Sequence, residues 1–141
     1  MATPLYTLDI LRLAASTARW ARLPAPDASA EKRSPICGSR INVDVTLDAD
    51  GRVSELGQEV RACALGQASA ALMGEHAIGK SAPELTAASD ALRQWLAGET
   101  DSPGEWPGLG IFAPALPHSA RHAAIRLAFE AVAEAATMAA R

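Results

Sequence analysis

Ile41-Asn42-Val43-Asp44-Val45-Thr46-Leu47, followed by Asp48-Ala49-Asp50-Gly51 and then Val53 to Ala62, reads as a strand, a turn and a returning strand. Ile41, Val43, Val45 and Leu47 alternate with Asn42, Asp44 and Thr46, the period of a strand with one buried face. An Asp-Gly turn between two such runs makes an antiparallel hairpin. Gly57 interrupts the second run and marks a bulge. The Asp48 to Gly51 run also invites a calcium reading, but an EF-hand loop begun at Asp48 puts Arg52 where an oxygen ligand is required and Val53 where glycine is needed.

Both cysteines of the chain flank this hairpin. Cys37 sits before it, in Ser34-Pro35-Ile36-Cys37-Gly38-Ser39-Arg40, where proline favours extended geometry in its predecessor and Gly38 tolerates backbone angles closed to other residues. Cys63 sits after it, in Arg61-Ala62-Cys63-Ala64-Leu65-Gly66-Gln67-Ala68-Ser69, where the extended run gives way to an alanine-rich helix. The two flanks of an antiparallel hairpin lie at one end, so the spacing predicts that the two sulfur atoms converge there. A thiol at a helix N-terminus faces unpaired N–H groups and the positive end of the dipole, a placement suited to reactivity or metal binding. Arg33, Arg40 and Arg61 flank the pair. Burial as ordinary core residues is the competing reading of both cysteines.

Working outward, Leu8, Leu11, Ala15 and Ala18 recur at helical spacing between Tyr6 and Arg19, with Ile10, Leu13 and Ala14 widening the stripe. Leu23-Pro24-Ala25-Pro26-Asp27 ends that helix. Residues 28–34 are polar enough to form only a short edge strand. After the hairpin, Ala64 to Ala77 is a helix with Leu65, Ala68, Leu72 and Met73 inward. Ser81-Ala82-Pro83-Glu84 has capping-box form, and Leu85, Ala88, Leu92, Trp95 and Leu96 follow at helical intervals up to Gly98. Residues 98–117 form a Gly- and Pro-rich loop whose Trp106, Leu109, Ile111 and Phe112 pin it to the core. Ser119 caps a last helix running to Met138, with Ala124, Ile125, Ala128, Phe129 and Val132 on one side. The layout is α+β in a single domain over 1–141: a small antiparallel sheet of two to three strands, one N-terminal helix, and three later helices packed on one face.

Thirteen Lys and Arg against 16 Asp and Glu give a net charge of −3. Without a basic run, nucleic acid is not an expected partner. No apolar segment approaches the ~20 residues of a membrane span, and the chain does not open on a charged region followed by an apolar one. Two cysteines make no disulfide framework, so a reducing cytoplasm is the expected home. His76 and His118 fall at helix ends, where exposure is expected. Leu5, Tyr6 and the 98–117 loop are candidate docking surface or ordinary packing.

In these motifs the chain resembles the iron-sulfur cluster assembly scaffolds of the IscU, SufU and NifU N-terminal type. Pro35-Ile36-Cys37-Gly38 is similar to the family's Pro-x-Cys-Gly loop. Asp50-Gly51-Arg52-Val53 through Arg61-Ala62-Cys63-Ala64 to Met73 resembles its Asp-Gly-Arg hairpin, Gly-Cys-Ala step and Ala/Ser-rich helix, and Arg121 to Phe129 resembles its last helix. The resemblance implies a SufE/NifU-like fold, a non-enzymatic scaffold role, an iron-sulfur cluster or Zn(II) as the bound species, and a cysteine desulfurase and a chaperone as partners. It implies Cys37 and Cys63 as ligands, with Gly38, Ser39, Arg40 and Arg61 supporting the loop. Two expected ligands are replaced: Ser39 stands where the family has aspartate, and Ala124 where it has a third cysteine. An iron-sulfur cluster is normally held by four thiolates and zinc by four N, S or O ligands, so His122, Glu59, water or a partner side chain would complete the set in a monomer. A homodimer would instead pool two cysteine pairs. A capping or solvent-facing residue is the commoner reading of His122, and an outward polar position that of Glu59. A scaffold fold kept for docking without metal, or a persulfide carrier using Cys63, are the alternatives.

Overall fold

The computed structural model describes residues 5–35 and 38–141. Helix α1 (Leu8–Ala15) leads through a 3-10 turn (Ser16–Arg19) to strand β1 (Ala28–Arg33), then β2 (Arg40–Leu47) and β3 (Val53–Arg61). Helices α2 (Ala64–His76), α3 (Ala82–Leu96) and α4 (His122–Ala139) follow, with 3-10 turns at Leu109–Ala115 and Ser119–Arg121. The sheet is antiparallel, in the order β1-β2-β3. The expected edge strand is present, and the expected α+β class is the observed one.

One face of the sheet carries Ile41, Val43 and Val45, all fully buried. The long, alanine-rich α4 covers β1 and β2, and α2 packs beside α4 and reaches β3. The other two α-helices form an outer layer: α1 on α2, α3 on α4. Small residues permit this closeness. Ser69 Oγ donates to the Ile125 carbonyl at 2.6 Å between the two inner helices, and a Cβ added to Gly74 would lie 2.6 Å from the ring of Trp20.

The expected stripe on the first helix is corrected. Ile10 and Ala14 are buried, whereas Leu8 and Leu11 are 61% and 48% exposed. Both sets fit helical spacing, and packing on α2 selects the first. The helix also tightens early, because the Ser16 and Thr17 hydroxyls donate back to the carbonyls of Leu13 and Ala14.

Gly57 is not a bulge. It pairs in register with Asp44, and the irregularity lies between Thr46 and Leu47. A Cβ on Gly57 would meet Ala21 O at 2.5 Å and Leu23 N at 2.7 Å, so the glycine is there because the α1–β1 linker crosses the sheet at this row. Beneath that crossing Asp44 is fully buried. It accepts from Arg22 Nε at 2.7 Å and Nη2 at 3.0 Å, from Leu23 N at 2.9 Å and from the Ser29 hydroxyl. Burial pushes its carboxyl up, but the bonds from Arg22, Ser29 and the Leu23 amide outweigh burial and hold it below the usual carboxylate range.

The capping box on α3 is present: Ser81 Oγ accepts from Glu84 N, and the Glu84 carboxylate accepts from Ser81 N. The 98–117 segment is pinned as its aromatics suggest. Trp106 donates to the Leu72 carbonyl at 3.1 Å and stands edge-on to Phe129 with centroids 5.1 Å apart. Ser119 does not cap α4; it opens a 3-10 turn, and α4 starts without a side-chain cap.

Candidate functional site

The sheet ends in a row of three arginines. Arg33 pairs with Arg40, and Arg40 with Arg61. The 34–39 loop closes over that end: the Ser34 amide donates to the Ser39 carbonyl at 2.9 Å, and the Gly38 amide to the Ser34 carbonyl at 3.0 Å. Gly38 has φ +71°, a left-handed conformation that glycine adopts without penalty. Cys37 lies outside the described residues. Its loop neighbours Pro35 and Gly38 line a pocket together with Arg61, at the strand end where Cys63 follows two residues later.

Cys63 is the N-cap of α2, with φ −65° and ψ 171°. Its carbonyl accepts the Gln67 amide at 2.9 Å, starting the helix, while its side chain makes no capping bond. The Gln67 side chain donates instead to the Ala62 carbonyl. The thiol is half-buried and free. It stands where the orphan amides and dipole of a 13-residue helix favour an anion.

Position 124 packs against the first turn of α2. A Cβ built on Gly66 would lie 3.3 Å from Ala124 O and 3.6 Å from its Cβ, and Gly66 is three residues past Cys63, on the neighbouring strip of the helix. Ala124 is 1% exposed. Ser39 is also buried and lies within the closed loop.

The other two candidate ligands do not join them. His122 is buried, and its Nε2 lies 2.9 Å from Ala115 O and 3.1 Å from Leu116 O, where it donates to fasten the 3-10 segment onto α4. Glu59 is exposed on the outer face of β3, two residues before Arg61 and opposite Asn42. Among the described residues, no three His, Cys, Asp or Glu side chains form a metal-ligating group. Asp44, which sequence reading treated as an ordinary outward position, is a structural anchor; a glycine directly across the sheet was the available signal.

No family model matches the chain, and no curated protein matches it in sequence. Solved structures do. A nitrogen-fixing NifU-like protein (N-terminal) from Brucella abortus is 37% identical, with 96% of this chain and 94% of that chain covered at a TM-score of 0.89. The chain belongs to the iron-sulfur cluster assembly scaffold family of the NifU N-terminal type. A protein from Fervidobacterium islandicum, assigned as an iron-sulfur cluster assembly scaffold for the SUF system, shares the fold at a TM-score of 0.85 and 17% identity, covering 94% of this chain and 96% of that one. A third structure, of a hypothetical protein, shares it at 0.75 and 23% identity over 94% and 99% of the two chains. Against the pattern that the resemblance implies, the departures are Ser39, in the loop at the sheet end, and Ala124, against Gly66.

Proposed function

We propose that the protein is a non-enzymatic scaffold-type protein of iron-sulfur cluster assembly, handling the cluster or its metal as cargo through Cys63 and Cys37, with ligation left incomplete by the protein itself. The observation that supports this reading is the place of Cys63 at the N-terminus of α2, two residues past Arg61, which lines a pocket with Pro35 and Gly38 of the Cys37 loop. Membership of the NifU-type family supports it, as does the family's dependence on cysteine ligands in these motifs. Zn(II) is the alternative cargo, since it accepts mixed N, S and O ligands. A cysteine desulfurase as sulfur donor and a chaperone as release partner are the partners the resemblance implies. Among the described residues no helix is long and apolar enough to cross a membrane.

Anaerobic reconstitution with ferrous iron and sulfide tests this. The wild-type chain is expected to develop sulfur-to-iron charge-transfer bands that Cys63→Ser abolishes; identical featureless spectra for both refute it.

The lack of a third ligating group among the described residues favours one second reading, sulfur carriage. The Cys63 thiolate would attack the outer sulfur of a desulfurase persulfide, forming Cys63–S–SH and releasing the donor's thiolate. Mass spectrometry after such an incubation should show one added sulfur on Cys63, and an unmodified Cys63 would rule it out.

A further inference from the structure

Arg33, Arg40 and Arg61 stand directly opposite one another across three strands, an arrangement in which like charges repel. Their compensation is partial. Glu31 Oε1 lies 2.7 Å from Arg33 Nε and 3.7 Å from Arg40 Nε, so one carboxylate serves two guanidinium groups. Glu59, the other acid of the next row, acts with Glu31 on Arg22. Arg61 has no ion pair among the described residues. The row lines an open pocket of about 420 Å³ together with Ser34, Pro35, Gly38 and Ser39, a volume within the range of small-molecule sites. At its wall Ser34 is 2% exposed, and its Oγ has no hydrogen-bond partner. A buried hydroxyl left unpaired in a native structure calls for a reason.

Guanidinium groups are shaped for carboxylates, which they bind through two parallel N–H bonds. Two residues beyond Arg61, within about 7 Å of extended chain, stands Cys63, the thiol of a site short of ligands. We propose that the arginine row is an anion site for the carboxylate end of a small thiol acid, whose sulfur then serves as the missing ligand beside Cys63. The inference rests on the metal-handling reading above for the role of the thiol, while the anion site stands by itself.

Two titrations separate them. In the first, metal-free Cys63→Ser protein is titrated calorimetrically with S-methylglutathione, which keeps the carboxylates and blocks the sulfur. Binding is expected, weakened about 10- to 100-fold by Arg61→Gln or Arg40→Gln, the loss of one charge-assisted contact, and unchanged by Arg93→Gln on exposed α3. No binding, or inorganic phosphate binding as tightly as S-methylglutathione, overturns the proposal. In the second, the zinc affinity of the wild-type chain is measured with reduced glutathione and with S-methylglutathione; only the free thiol should raise it, by at least tenfold. Equal affinities overturn the ligand role. If zinc fails to bind under any condition while the arginine dependence of the first titration holds, the metal reading falls and the anion site remains.

Discussion

Placing a cysteine at position 124, where the resemblance implies one, is the sharpest perturbation the fold offers. Ala124 faces Gly66, three residues after Cys63, and the two approach so closely that a Cβ on Gly66 would lie 3.3 Å from Ala124 O and 3.6 Å from its Cβ. Ala124→Cys therefore places a third thiol next to the helix N-terminus at the cost of one added sulfur in a buried position, an overpacking penalty of up to about 1–3 kcal/mol. The gain is larger. A structural zinc site with four ligands contributes about 10–16 kcal/mol of apparent binding free energy, or roughly 2.5–4 kcal/mol per ligand. Zinc affinity should thus rise by about two to three orders of magnitude, read by competition against a chromophoric chelator. Ala124→Ser, similar in size but without a thiolate, should give no such gain, and Cys63→Ser in the Ala124→Cys background should remove it. A folded Ala124→Cys protein that binds zinc no more tightly than wild type would refute the claim that position 124 and Cys63 share a site.

Four further outcomes are expected. Asp44→Asn strands Arg22 and disturbs the bonds from Leu23 N and the Ser29 hydroxyl to a fully buried carboxylate; since Arg22 is 45% exposed, the loss should fall near the low end for a broken buried pair, about 3 kcal/mol, measured by urea unfolding. Because the native Asp44 carboxyl titrates below its unfolded value of ~3.9, its contribution is present above that pH and lost as pH falls through the native value, so the mutant's unfolding midpoint should depend less on pH in acid. His122→Ala should cost about 1–3 kcal/mol by freeing the buried Ala115 carbonyl and the half-buried Leu116 carbonyl yet leave bound metal per chain unchanged, measured by elemental analysis, because Nε2 is committed to Ala115 and Leu116. Ser81→Ala should lower stability by about 1 kcal/mol through the lost cap, seen in thermal unfolding.

Much of this was legible from local pattern. Alternation over 41–47, the Asp-Gly turn and the Ser81–Glu84 box each act over a few residues, so neither the hairpin nor α3 depended on distant contacts. The placement of Cys63 at a helix N-cap followed from the same short-range switch. What failed needed a partner far along the chain. Gly57 looked like a bulge because nothing nearby reveals that Ala21 and Leu23 cross above it, and Asp44 looked solvated for the same reason. On α1 two apolar stripes fit one period, and only α2 could decide between them. His122 carried the right chemistry for a ligand, but its nitrogen is taken by carbonyls from a loop whose 3-10 shape the Gly- and Pro-rich sequence does not spell out.

The most direct measurement is elemental analysis of anaerobically purified protein, wild type beside Cys37→Ser and Cys63→Ser. Iron or zinc in the wild-type chain that is lost in both variants is the predicted result. Metal retained in Cys63→Ser at the wild-type level would contradict the account, because the ligand set would then have to lie somewhere other than this end of the sheet.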